Sequence, residues 1–149
     1  MRIAIAADHA GWEDKTWLAD RLSELGHEVT DFGTDSAEPC DYPDYAERAA
    51  SAVASGECER GILVCGTGVG MSLAANKING IRAAACQTVE AARLSRLHND
   101  ANVLCLGSRV STRGLIEEII DVWFACEFEG GRHERRVGKI MALEQGGTH

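Results

Sequence analysis

The chain of 149 residues has few aromatic residues, few prolines and no excess of positive charge. Only 5% of its residues are aromatic, so aliphatic side chains must fill the core. Two prolines together with 45% hydrophobic residues exclude a disordered or collagen-like chain. A net charge of -8 and a pI near 5.1 argue against broad electrostatic binding to nucleic acid or an anionic membrane. We therefore expect neither as a partner, and any anionic ligand must be met by a local pocket.

Long apolar runs and paired cysteine motifs are missing as well. No apolar run reaches membrane-spanning length, and residues 1–6 lack the basic segment and long apolar stretch of a signal peptide. The six cysteines are irregularly spaced with no Cys-x-x-Cys pair, which predicts neither a zinc site nor a disulfide framework. These features favour a cytoplasmic location with most of the cysteines in the core. The cysteines are Cys40, Cys58, Cys65, Cys86, Cys105 and Cys126.

Short apolar runs alternate with stretches of helical period. Such near-continuous apolar strands are typical of a parallel sheet covered by helices on both faces. The sequence predicts one domain over 1–149 with a three-layer, Rossmann-like, doubly wound α/β fold, a five-stranded parallel sheet and a flexible tail over 145–149. The predicted strands cover 3–7, 29–32, 62–65, 83–86 and 103–106. The predicted helices cover 12–25, 45–54, 70–77, 89–98, 113–125 and 135–143.

Polar residues follow the first predicted strand. Ligands of an open parallel sheet bind beyond the carboxyl ends of its strands. Asp8 and His9 stand at such an end, before a helix. They are interpreted either as a helix N-cap with a neighbouring surface histidine or as ligand-binding groups.

A glycine-rich loop follows the third predicted strand, with the sequence Cys65-Gly-Thr-Gly-Val-Gly70. Small residues let backbone N–H groups approach an anion at a helix N-terminus. The loop matches neither a Walker sequence nor the dinucleotide Gly-x-Gly-x-x-Gly pattern, and a plain tight turn remains an alternative. Because a helix N-terminus favours a thiolate, Cys65 is a candidate base or nucleophile.

Two further clusters contain histidine and arginine. The segment from His98 to Asn102 is interpreted as a helix C-cap or as part of a catalytic site. Arg109 follows the fifth strand. The run 130–136 contains three arginines and a histidine, of which Arg132 and Arg136 can share a helix face. A solvated helix start is the usual interpretation, but in an acidic protein the run also suggests a phosphate clamp.

These segments, in this order and spacing, closely resemble the type B ribose-5-phosphate isomerase family, whose pattern the galactose-6-phosphate and allose-6-phosphate isomerases share. The resemblance extends from Arg2 to about Glu144. Trp12 stands where a phenylalanine is common, and Cys65 places the chain with the members that use a thiol base. The segments are 8–11, 41–43, 65–70, 75–77, 98–100, 107–109 and 129–136.

The resemblance implies a homodimer, paired in some members into a tetramer, with an active site shared between subunits. It implies an aldose-ketose isomerase that needs no metal and no cofactor and works through a cis-enediolate. Cys65 is then the base, and Thr67 with the amides of Gly66, Gly68 and Gly70 stabilises the enediolate. His98 assists ring opening.

The remaining implied residues bind the substrate. Asp8, Tyr42 and Asn99 fall where the family contacts sugar hydroxyls. The phosphate would be bound by His9, Arg109, Arg132 and Arg136. The partner subunit would donate His98, Asn99 and Arg109.

The function predicted from the sequence is interconversion of D-ribose 5-phosphate and D-ribulose 5-phosphate in the pentose phosphate pathway. Proton abstraction beside a carbonyl needs a base and an oxyanion site, and the loop from Cys65 to Gly70 can supply both. The alternatives are an isomerase of a six-carbon sugar phosphate, a non-catalytic sugar-phosphate-binding domain and a redox-responsive thiol protein. The preference for pentose or hexose, and the roles of His133 and Arg135, stay open.

Overall fold

The computed structural model describes residues 1–146, and within them five strands alternate with helices. The strands are β1 (Arg2–Ala7), β2 (Glu28–Asp31), β3 (Arg60–Cys65), β4 (Ala83–Ala85) and β5 (Val103–Gly107). The helices are α1 (Trp12–Glu24), α2 (Tyr42–Ala54), α3 (Val69–Ala75), α4 (Val89–Leu97), α5 (Arg113–Ala125) and α6 (Arg132–Ala142), followed by a 3₁₀ turn over Leu143–Gln145. Of the predicted flexible tail over 145–149, residues 147–149 lie outside the described residues.

All five strands are parallel, in the order β2-β1-β3-β5-β4. The register pairs Ile5 of β1 with Ile62 of β3, and Leu63 of β3 with Cys105 of β5. From β1 the chain first builds outward to β2 and then returns to build the other side from β3 onward. The carboxyl ends of β1 and β3 therefore flank the switch point, where this kind of sheet forms its ligand crevice. The predicted fold class is confirmed.

The two faces of the sheet carry side chains of different size. Ile3 and Ile5 of β1 point to one face, where they join Leu18 of α1 and Trp123 of α5 in one buried cluster. The alternate positions of β1 are alanines, and they face the alanine-rich helix α2 in a second cluster. Because strand side chains alternate between faces, this pattern fixes which helices cover which side.

Two helices begin three residues earlier than predicted. Helix α2 starts at Tyr42 instead of residue 45, because Pro43 is tolerated in a first helical turn and Asp41 precedes it in extended backbone. Helix α6 starts at Arg132 instead of residue 135, after Gly131 with φ of 59°. A run of charged residues has no apolar period from which that start could be inferred.

Helix α6 contrasts with the other helices because it buries only His133. Its apolar residue Ile140 and the following Leu143 are 46% and 55% exposed. Within residues 1–146, no helix is long and apolar enough to cross a membrane.

Candidate active site

Cys65 is the last residue of β3, and its side chain is 4% exposed. Its sulfur accepts a hydrogen bond of 3.2 Å from the backbone N–H of Gly68. The loop thus folds back over the strand end and holds the sulfur beside its own amides. Burial raises the pKa of two other thiols, Cys86 and Cys105, so these stay protonated at neutral pH.

The glycines of the loop permit close packing around this sulfur. Gly68 has φ of 79°, and a Cβ there would lie 3.1 Å from the carbonyl oxygen of Cys105. A Cβ on Gly70 would lie 2.8 Å from the ring of Tyr42, so the missing side chain is what lets Tyr42 lie against the loop. Thr67 accepts a hydrogen bond of 3.3 Å from the N–H of Val69.

Asp8 and His9 follow β1 on the other side of the switch point. The Asp8 carboxylate is buried and accepts hydrogen bonds from the N–H groups of Ala10 and Gly11 at 3.0 and 3.1 Å. These bonds fix the loop before α1. The N-cap residue of that helix is Gly11 and no side chain caps it, so the interpretation of Asp8 as a helix N-cap is wrong. Nδ1 of His9 accepts a hydrogen bond of 3.2 Å from the N–H of Cys40, which orients the imidazole.

Arg109 joins this group from β5. Its N–H donates to the carbonyl of Gly66 at 2.9 Å, and its guanidinium lies 3.2 Å from where a Cβ of Gly66 would be. His9 and Arg109 line one cavity of about 360 Å³. Ser108 also lines it, with a buried hydroxyl that has no hydrogen-bond partner among the described residues.

The other predicted site residues lie at the opposite, amino-terminal edge of the sheet. His98 caps the end of α4, and Asn99 follows it. A few residues on, Asn102 accepts a hydrogen bond of 2.9 Å from the N–H of Gly61 at the start of β3, which places this end of α4 beside the strand starts. Arg132 and Arg136 lie on α6, exposed and without a carboxylate partner within 1–146.

His98 also contacts α6. Its ring stacks on that of His133, with centroids 4.1 Å apart and planes inclined by 10°. The Glu129 carboxylate lies 3.9 Å from His98 Nε2 and 3.5 Å from His133 Nε2. Loss of hydration, together with the neighbouring His98 and Arg132, lowers the pKa of His133.

The site residues therefore form two groups, separated by the length of the sheet. We name them by position. The carboxyl-edge group comprises Asp8, His9, Tyr42, Cys65, Gly66, Thr67, Gly68, Gly70 and Arg109. The amino-edge group comprises His98, Asn99, Arg132 and Arg136. The six residues of β3 lie between them, which corresponds to roughly 20 Å. One chain alone does not bring the two groups together.

This division bears on the expected origin of Arg109. Arg109 was expected to come from a partner subunit together with His98 and Asn99. It lies against Gly66 of its own chain, because β5 is the immediate neighbour of β3 and both end at the same edge. His98 and Asn99 lie at the other edge, away from Cys65 of the same chain.

The chain is similar in sequence to proteins of one known family. A sequence model of the family described as Ribose/Galactose Isomerase matches residues 3–140. The chain is 52% identical over 144 residues to the ribose-5-phosphate isomerase B of Escherichia coli, covering 97% of each. The chain belongs to the ribose/galactose isomerase family.

Solved structures show the same likeness. The ribose-5-phosphate isomerase B of Clostridium thermocellum matches with a TM-score of 0.97 at 53% identity, covering 98% of this chain and 99% of that one. The enzyme of Mycoplasma genitalium, solved with bound ribulose-5-phosphate, matches with a TM-score of 0.93 at 41% identity, covering 97% and 96%. The family and the isomerase class predicted from the sequence are confirmed.

Sequence reasoning missed three residues of this isomerase that the structure brings to the site. Ser108 falls within the segment 107–109, but no role was predicted for it from the sequence. Arg113 was predicted only as a helix start, yet it lines the His9 cavity, held by Asp14 at 2.9 Å. Glu129 lies between two histidines from distant segments. For Ser108 and Arg113, the available signal was their closeness in sequence to the carboxyl end of β5.

Proposed function

We propose that the chain interconverts D-ribose 5-phosphate and D-ribulose 5-phosphate by moving one proton between carbon 1 and carbon 2. The observation that supports this best is Cys65, whose sulfur lies at the switch point inside a loop of backbone amides. A cavity lined by the His9 imidazole and the Arg109 guanidinium opens from the same edge. A base and an anion site side by side suit a phosphorylated aldose.

In this mechanism Cys65 takes the proton from carbon 2 of the open-chain aldose. The electrons move into the carbonyl at carbon 1, which leaves an enediolate, and the hydroxyl proton of carbon 2 moves to the oxygen of carbon 1. The same thiol returns its proton to carbon 1, which gives the ketose. The amides of the loop and the hydroxyl of Thr67 stabilise the negative charge that develops on the enediolate oxygen.

The phosphate would lie in the cavity of about 360 Å³ beside His9 and Arg109. The buried Ser108 hydroxyl supports this position because an unpartnered buried donor is costly, and a phosphate oxygen would accept its hydrogen bond. Asp8 and Tyr42 lie at the same edge, where they can contact sugar hydroxyls.

A second copy of the chain would complete the site. His98 is placed to assist ring opening, Asn99 to bind a hydroxyl, and Arg132 and Arg136 to close on the phosphate, but all four lie at the wrong edge of their own sheet. The exposed apolar residues Leu73 and Val69 near Cys65, and Leu143 beyond α6, are surface that such a homodimer would bury.

Turnover by chelator-treated protein tests the proposal. We expect conversion of ribose 5-phosphate without added metal or cofactor, and partial wash-out or transfer of deuterium placed at carbon 2. Complete retention of the label at carbon 2 would indicate a hydride shift. Binding without turnover would indicate a sugar-phosphate-binding domain. Six-carbon phosphates and free aldoses in the same assay define the substrate range.

A further inference from the structure

Two imidazoles and a carboxylate converge where α4 ends and α6 begins. His98 caps α4, Glu129 belongs to the connection before α6, and His133 lies in the first turn of α6. One ligating atom from each lies within 4.8 Å of the other two. The N–H of Glu129 donates to the carbonyl of Leu97 at 3.1 Å, so the connection is fixed to the end of α4.

These three side chains face one another but do not form hydrogen bonds with one another. The carboxylate is 3.5 Å from one imidazole and 3.9 Å from the other, and neither pair is hydrogen-bonded. The His133 ring is buried, whereas His98 and Glu129 are partly exposed and open the gap to solvent. The cluster is thus a small, accessible space lined by two nitrogens and one oxygen.

Two imidazole nitrogens and one carboxylate oxygen are a donor set that Zn²⁺ takes in open sites, with a fourth position left to water. Zinc–nitrogen bonds of about 2.0–2.1 Å bring ligand atoms to roughly 3.3 Å from one another, slightly closer than here. The rings are now stacked, so the half-exposed His98 must turn to aim its nitrogen at the ion. Arg132 and Arg136 on the same helix oppose a dication, so we expect an affinity on the micromolar scale.

We propose that His98, Glu129 and His133 form a binding site for one divalent transition-metal ion such as Zn²⁺, and that occupancy of this site withdraws His98 from the isomerase reaction. The second half rests on the proposed function, in which His98 assists ring opening. The first half depends only on the geometry of the three donors.

Calorimetric titration of chelator-treated protein with Zn²⁺ tests the site. We expect Glu129→Gln and His133→Asn each to weaken the binding of one ion per chain by at least about tenfold. His27→Asn removes a histidine outside the cluster, and Cys40→Ser removes the thiol that lies 3.9 Å from His9; neither should change this binding. If His133→Asn does not fold, Glu129→Gln decides, because its carboxylate is half exposed. Equal affinity in wild type and Glu129→Gln, or loss of the site in Cys40→Ser, would overturn the assignment.

Inhibition tests the second half. Zn²⁺ should inhibit ribose 5-phosphate turnover with a midpoint at the measured Kd, chelator should reverse it, and Glu129→Gln should shift the midpoint by the factor seen in calorimetry. Bound zinc without inhibition, or inhibition unchanged in Glu129→Gln, would overturn the link to His98. Absence of turnover in metal-free protein would instead count against the proposed function, and the calorimetric result would stand independently.

Discussion

The two edges of the sheet differ in how they hold their functional side chains. At the carboxyl edge, Cys65 and Asp8 are 4% and 7% exposed, and backbone N–H groups fix both. At the amino edge, His98 is partly exposed and Arg132 and Arg136 extend into solvent. In the proposed mechanism, one chain would then organise the proton transfer, whereas ring opening and part of the phosphate binding would need a second chain.

Removing the thiol at the carboxyl edge should have the largest effect. Cys65→Ala should fold normally and lose about three orders of magnitude or more in kcat, because the loop contains no other base. Cys105→Ala, which removes a thiol held protonated by burial, should keep its turnover number. Steady-state assays with circular dichroism as a folding check make the measurement. Near wild-type kcat in Cys65→Ala would refute the role of the sulfur.

Mixing variants of the two edges tests whether they meet between chains. Cys65→Ala and His98→Asn should each be nearly inactive alone. After joint unfolding and refolding, random pairing should restore about a quarter of the wild-type sites, because half of the dimers are mixed and each has one intact site. No recovery, in a mixture shown to contain mixed dimers, would mean that the two groups act within one chain.

The elements of this fold were predictable from sequence because their signals are local. The apolar run of β3, which ends at Cys65, indicates a buried strand. The apolar period of α5 likewise indicates a helix with one buried face. The helix starts at Tyr42 and Arg132 were not predicted. The first is followed by a proline, and the second lies in a charged run without an apolar period. Cys65, His9 and Arg109 could be proposed as site residues because each follows or ends a predicted strand. The carboxyl ends of parallel strands lie at one edge of the sheet, where ligands bind.

Other features depend on tertiary placement, for which no local pattern exists. No local pattern near Arg109 shows that β5 lies beside β3, so its contact with Gly66 of the same chain could not be predicted. Glu129 meets His98 and His133 only because the connection before α6 is fixed to the end of α4. The position of His98 opposite Cys65 likewise follows from the direction of α4.

The arginines of the amino edge should show a smaller and more selective effect. Arg136→Ala should raise KM for ribose 5-phosphate by roughly ten- to a hundredfold with little change in kcat, because a charge-assisted bond to phosphate exists in the ground and transition states alike. Arg135→Ala is the matched control on the same helix turn and should change little. Turnover of a free aldose should be insensitive to Arg136→Ala. An equal rise in KM for both variants would mean that the arginines of residues 132–136 act in folding or assembly.

The smallest effect concerns the pH dependence of folding at the amino edge. The pKa of His27 is lowered by burial, by the N-terminal amine 3.1 Å away and by Arg60. The imidazole of the folded chain therefore takes up a proton less readily than that of the unfolded chain. The neutral imidazole thus favours the folded state above about pH 6.5, the ordinary histidine value, and this contribution is lost as pH falls below it. Denaturant unfolding at pH 8 and pH 5 should show a smaller loss of stability for His27→Gln than for the wild type. Identical losses would mean that the cations gathered at this edge leave His27 unaffected, and that the contrast between the two edges is confined to the site residues.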